Sequence, residues 1–167
     1  MRRASAVFLI LWLSCMSAAA YVNEPERIDG WSWGAPFALS MQSLEYHGAV
    51  KGVPGALTYR RKDLRCSYLF SSWPEEVHVF LDGKYAGIIL GASKYIYLAA
   101  TYAKMLKLHG NPDKSNSSGN EIASLWNGQV TSILFMKLTI NGKLSVLVML
   151  GTPDFLDRYV SANGIFG

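Results

Sequence analysis

Val77 to Leu90 constrains this chain more than any other stretch. Val77, Val79 and Leu81 alternate with His78 and Phe80, then Asp82-Gly83 precedes a second apolar run from Lys84 to Leu90. Asp-Gly is a favoured two-residue hairpin turn, because glycine takes the positive φ that matches the twist of the flanking strands. Two-residue pairing puts Val79 beside Ala86, Val77 beside Ile88, and Phe80 against Tyr85 on the other face. A chain with this hairpin at its centre needs an antiparallel sheet.

Two further hairpins are expected around it. Leu57, Tyr59 and Arg61 share one strand face and Thr58 and Arg60 the other. A turn at Lys62-Asp63 would return the chain through Leu64, Cys66, Tyr68 and Phe70. Tyr59 would then face Cys66, Leu57 would face Tyr68, and Thr58, Arg60, Arg65 and Ser67 would form a polar face. Val130 to Ile140 and Lys143 to Leu150 make the third pair. There the apolar pattern favours a three-residue loop with Gly142 as a bulge, pairing Leu138 with Leu144, Met136 with Val146 and Leu134 with Val148. Glu121 to Trp126 reads as a short strand, and Asp113 to Asn120 (DKSNSSGN) as a mobile surface loop.

Three helices are expected. Pro36 suits a first turn, with Phe37, Met41 and Leu44 at i, i+4 and i+7 and Gly48 as the stop. Alternatively, Ala49 to Val53 begins a strand. Ser93 can cap the main helix, whose stripe is Tyr95, Leu98, Ala99, Tyr102, Ala103 and Leu106, with Lys94, Tyr97, Thr101 and Lys104 opposite. Gly110 and Pro112 stop it, and Lys107 and His109 lie in its last turn. Thr152-Pro153-Asp154 caps a final short helix running through Tyr159. No βαβ alternation occurs. The expected class is therefore α+β: an antiparallel sheet built from hairpins and packed on one main helix, with short helices near both ends.

The N-terminus speaks to location. Met1-Arg2-Arg3 is basic, Ala6 to Met16 is apolar, and Ser17 to Ala20 supplies small residues before Tyr21. This is the layout of a secretory signal peptide cut before Tyr21, and the apolar run is short of the roughly 17–25 residues of a membrane span. Residues 1–20 are thus read as a leader and 21–167 as one domain, periplasmic or secreted, with no transmembrane span after cleavage. Ser14-Cys15 touches on a lipoprotein signal, but Trp12 does not suit one. Cleavage leaves Cys66 as the only cysteine, so no intrachain disulfide is expected. On the apolar face of its strand, that thiol would act as a small hydrophobe.

Composition narrows the class. Half of the 167 residues are apolar and 17% are charged, which excludes intrinsic disorder. Removing Arg2 and Arg3 takes the 16 Lys+Arg to 14 against 12 Asp+Glu, which makes no case for nucleic acid. No spacing of His, Cys and carboxylates forms a metal motif, and no nucleophile or phosphate-cradling motif occurs, so no catalytic residue, metal or cofactor is assigned. His78 has Glu75, Glu76 and Asp82 nearby but lacks ligand count. The glycines at 83, 87 and 91 read as close packing or twist. Asn116-Ser117-Ser118 matches a glycosylation sequon, relevant only in a eukaryotic host.

Two surface features remain. Arg60, Arg61, Lys62 and Arg65 cluster at the expected hairpin tip and would dock an anionic envelope component or an acidic partner, or form a solvated edge that discourages aggregation. Trp31, Trp33, Phe37, Trp73 and Trp126 are many large rings for one domain, suited to a core or an interface.

Trp33-Gly34-x-Pro36, Leu81-Asp82-Gly83-Lys84, Leu106-x-x-His109-Gly110-x-Pro112 and Trp126 together resemble a pattern in small exported bacterial envelope proteins of uncharacterised function. The resemblance covers most of the chain after residue 20. It implies an envelope setting and no particular activity. The expected function is an exported, non-enzymatic binding or accessory module. The alternatives are a small hydrolase or ligand carrier with no recognisable motif, and an envelope protein held by lipid at Cys15.

Overall fold

The computed structural model describes residues 21–38, 43–63 and 66–167. The leader, Cys15, Met41, Leu64 and Arg65 lie outside them.

The first described elements are a small hairpin of β1 (Arg27–Ile28) and β2 (Trp31–Ser32), turning at Asp29-Gly30. The main sheet has eight antiparallel strands. β3 (Leu44–Ala49), β4 (Ala56–Arg61), β5 (Glu75–Leu81) and β6 (Lys84–Ala92) run as a meander from one edge to the middle. Helix α1 (Tyr95–His109) then carries the chain to the far edge. β7 (Lys114–Ser118), β8 (Glu121–Trp126), β9 (Ser132–Ile140) and β10 (Lys143–Gly151) return as a second meander. β10 pairs with β6 and closes the centre, and α2 (Pro153–Ala162) ends the fold.

Both faces of the sheet are covered, each by a different helix. On one, Ile88, Leu90, Ile133, Phe135, Val146, Val148 and Leu150 pack with Met105 of α1, and the Tyr102 ring lies 5.0 Å from Phe135. Cys66 and Trp73 from the β4–β5 connection complete that layer. On the other, Val79, Ala86, Leu125, Leu134, Met136 and Met149 pack with Phe155 and Leu156 of α2. Thr152 caps α2 as expected, its side chain accepting from the Phe155 N–H. Gly87 and Gly151 are cross-strand partners, and the Phe155 ring lies against both, so the glycine reading as close packing holds at 87.

The central hairpin forms as expected, with Asp82 at φ 51°, Gly83 at φ 76° and Phe80 opposite Tyr85. A bulge at Val79/Phe80 shifts the remaining register by one, so Val77 meets Ile89 and Val79 meets Gly87.

Several expectations are corrected. Leu44–Ala49 is a strand rather than the end of a helix, and Gly48 sits at a bulge against β4. Tyr59 pairs with Tyr46 and His78, not with Cys66, because the chain after Arg61 crosses over the sheet instead of returning beside it. Thr58 is buried, its hydroxyl donating to the Gly48 carbonyl, while Leu57 is 38% exposed. Lys114–Ser118 is a strand, not a loop. As the sheet's edge it needs backbone pairing with β8 but no buried side chain. Asn141 and Gly142 both have positive φ and form a two-residue turn, which pairs Leu138 with Ser145. Since β10 is covered on both faces, its apolar parity cannot select the register.

Helix α1 has Lys94 rather than Ser93 at its N-cap, with no side-chain hydrogen bond there, and it is rotated from the expected stripe. Thr101, Met105 and His109 are its buried centre, Leu98, Tyr102 and Leu106 flank them, and Tyr95 is 83% exposed. Both polar members of that centre have partners. Thr101 Oγ1 donates to the Tyr97 carbonyl, and His109 is held by Tyr68 and Val22.

Candidate functional site

Strand alternation splits the basic cluster. Arg60 and Arg61 point to opposite faces of β4. Arg60 is exposed and pairs with Glu75 at 2.6 Å, and Lys62 is exposed and pairs with Glu45 at 3.0 Å. Exposed pairs of this kind contribute little to stability and exchange readily. Arg61 is buried. Its Nη2 donates to Asp29 Oδ2 at 2.6 Å and Glu76 Oε1 at 2.7 Å. The described cations of the cluster therefore do not form one basic tip.

Arg61 opens onto a network no local sequence pattern revealed. Glu76 is fully buried. Its Oε1 accepts from His78 Nε2 at 2.8 Å as well as from Arg61, and its Oε2 accepts from the Cys66 N–H at 2.9 Å. His78 Nδ1 lies 3.2 Å from the Tyr85 hydroxyl. Burial pushes the Tyr85 phenol well above its ordinary value, so Tyr85 keeps its proton and donates it. The tautomer that satisfies His78, Tyr85 and Glu76 has Nδ1 accepting from Tyr85 and Nε2–H donating to Glu76, while the buried Arg61 Nε finds no hydrogen-bond partner among the described residues. Burial works against the Arg61 charge, but Glu76 and Asp29 outweigh it and hold the guanidinium above its ordinary value. The Trp31 ring lies over that guanidinium, 5.6 Å from its carbon.

The network has the residue types of a catalytic relay without an opening to substrate: Glu76, His78 and Tyr85 are all fully buried. Cys66 meets Glu76 through its backbone, and burial pushes its thiol up to about 12, far from a neutral-pH thiolate. Cys66 is buried, as expected, though in the β4–β5 connection rather than in a strand. The chemistry available here is charge pairing that fastens β1–β2 and the Cys66 segment to the sheet. Among the described residues, no group of three His, Cys, Asp or Glu is placed to hold a metal ion.

The aromatic residues divide likewise. Trp73 and Trp126 are core. Trp31 and Trp33 pack on Tyr85, and Phe37 lies 5.0 Å from both Tyr59 and Phe80.

A second polar tie fixes the segment from residue 21. Tyr21 donates to the Thr131 carbonyl, Asn23 to the Leu108 carbonyl, and Glu24 accepts from the Val130 and Thr131 N–H groups. His109 Nδ1 donates to the Val22 carbonyl at 3.0 Å, and Nε2 accepts from Tyr68 at 2.6 Å, since burial keeps the Tyr68 phenol protonated. Burial lowers the His109 pKa below its ordinary 6.5. A depressed histidine favours folding while both states are neutral, so its contribution is present above pH 6.5 and fades as acid protonates the unfolded chain first. Amide exchange at Val130 and Thr131, whose N–H groups donate to Glu24, should therefore accelerate as pH falls from 7 to 5, after correction for intrinsic exchange. His109→Phe should remove that pH dependence; its persistence would place the sensor elsewhere.

The remaining feature is open. Helix α2 covers only part of its sheet face. Beyond it Val77, Ile89 and Leu147 are half-buried, whereas their neighbours Ile88, Leu90, Val146 and Val148 on the α1 face are fully buried. The uncovered part forms a groove of about 640 Å³, lined also by His47, Arg60, Glu75, Ile140, Asn141 and Ser145. That volume lies within the roughly 300–1,000 Å³ typical of ligand sites. Among the described residues of the expected docking cluster, Arg60 alone lies on its rim. The other rim and floor residues carried no sequence signal, because the groove exists only where α2 stops short of the sheet. No family model matches this chain, and no curated protein or solved structure matches it.

Proposed function

We propose that this chain is an exported, non-enzymatic binding module of the cell envelope, and that the open half of the α2 sheet face is its ligand site. The observation that carries the reading is the groove itself: an aliphatic floor with charged and polar side chains on its rim, beside a face otherwise sealed by α2. Export rests on the basic, apolar and small-residue segments before Tyr21. Retention by lipid at Cys15 is the alternative route to the same compartment. Among the described residues no helix is long and apolar enough to cross a membrane.

The test has two readouts. Intact mass of protein recovered from the envelope of a bacterial host should correspond to a chain beginning at Tyr21. Met1 retained on cytosolic protein would overturn export, and a lipid adduct would move the chain to the anchored form. Titration of the labelled protein with solvent extract of the envelope should shift amides of Val77, Ile89, Ser145 and Leu147. Ile140→Asp, at an exposed position on the rim, should abolish those shifts without loss of fold. Shifts that are absent, or confined to other surfaces, would remove the groove as the site.

A further inference from the structure

The charged side chains of the groove, Arg60 and Glu75, stand at one end, whereas the other end carries only the uncharged Ile140, Asn141, Ser145 and Leu147, and this asymmetry specifies a ligand class. The groove crosses the strands in the order β3, β4, β5, β6, β10, β9. From β4 to β9, four inter-strand spacings make its length roughly 19 Å. His47, Arg60 and Glu75 stand at the β3–β5 end, whereas Leu147 and Ile140 lie toward the β9 end. The floor between them is aliphatic, with no aromatic ring to stack on a sugar or base. Glu75 and Leu147 close in on Gly91, where a Cβ would stand 3.2 Å from each.

We propose that the groove binds a long-chain carboxylate, its head on Arg60 and its alkyl chain lying across β5, β6 and β10 toward Ile140. This rests on the reading of the groove as the ligand site and names what it takes. The charge argument runs through Arg60. Its side chain is 45% exposed and, among the described residues, is held by one contact from Nη2 to Glu75, so its fork can turn to a carboxylate in the groove. A planar guanidinium matches a carboxylate through two parallel N–H bonds. One arginine beside a carboxylate suits a monoanion better than a phosphate dianion, because Glu75 repels the second charge.

Decanoate is the probe, with decan-1-ol and decyl phosphate as comparisons, titrated into the labelled protein from expression of the full chain. Decanoate should shift groove amides selectively. Arg60→Gln should weaken it about tenfold, the loss of one charge-assisted contact. Glu75→Gln should tighten it, by removing the competing anion and the repulsion. Neither variant should change decanol binding, which separates head recognition from tail burial and from misfolding. Unchanged decanoate affinity in Arg60→Gln, tighter binding of decyl phosphate than of decanoate, or shifts confined to the apolar surface around Tyr46 and Leu57 would each overturn the proposal. Groove shifts with envelope extract but none with decanoate would overturn the carboxylate while leaving the groove as the ligand site. Shifts with neither would overturn both.

Discussion

Glu76→Ala should lower the unfolding free energy by about 3–5 kcal/mol, because it strands a buried guanidinium. Arg61 has two described anionic partners, and only Asp29 would remain, with a side chain 15% exposed against 0% for Glu76. His78 Nε2 and the Cys66 N–H would lose their acceptor at the same time. Each orphaned buried donor adds about 1–3 kcal/mol, though members of one network do not add independently. A domain of this size is stable by roughly 5–15 kcal/mol, so the loss is a large fraction of the total. Denaturant titration should show a lower midpoint at an unchanged slope, and the melting temperature should fall by about 6–20 °C. Glu76→Gln should cost less, since the amide still accepts but no longer balances the charge. Replacing both partners, Arg61→Met with Glu76→Leu, should be less damaging than Glu76→Ala alone, because it leaves only Asp29, the more exposed of the two carboxylates, without its cation. A Glu76→Ala loss below about 1 kcal/mol would mean that the pair does not hold the sheet.

What the sequence disclosed follows from which interactions are local. Asp82-Gly83 and Thr152-Pro153 announce the central hairpin and α2, because a turn and a cap are decided within a few residues. Strand β3 was hidden by Leu44, whose spacing from Phe37 and Met41 matches a helix although the residue itself is in a strand, and by Gly48, which serves a bulge as readily as a helix stop. Edge strand β7 has no buried side chain and so no hydrophobic period. The register of β9 and β10 was ambiguous because each strand contributes to the core on both faces.

The site was less legible than the fold, for a related reason. Polar residues on a strand ordinarily mean a solvated face, yet Arg61, Glu76 and His78 are all interior. Their burial depends on Asp29, brought in by the β1–β2 turn from 32 residues away. Adjacency in sequence suggested that Arg60, Arg61 and Lys62 act together, but alternation sends Arg61 inward and leaves Arg60 on the groove. The groove itself records how far α2 extends over a sheet that is wider than the helix, a relation between elements and not a property of any segment.

That relation makes Phe155 the second position where a large effect is expected. Phe155 is fully buried in the first turn of α2, and its ring lies on the backbone where Gly87 and Gly151 pair across β6 and β10. A Cβ at Gly87 would stand 2.9 Å from the ring and 2.9 Å from the Leu150 carbonyl oxygen; one at Gly151 would stand 2.9 Å from the ring and 2.5 Å from the Ala86 carbonyl oxygen. The glycine pair thus lets the helix approach the sheet. Phe155→Ala should destabilise by about 3–5 kcal/mol, from lost burial and the cavity left over that pair. Gly87→Ala should cost about 1–3 kcal/mol by overpacking. Combined, the two should cost less than their sum, because the added methyl occupies space the ring has vacated, while the Leu150 carbonyl keeps the rescue partial. Neither change touches the rim of the groove, but both loosen the helix that bounds it. Amides of Phe155 and Leu156 should therefore lose exchange protection before those of Ile88 and Leu90, which α1 covers on the other face. Additive losses, or equal loss of protection on both faces, would show that α2 is not held by this contact.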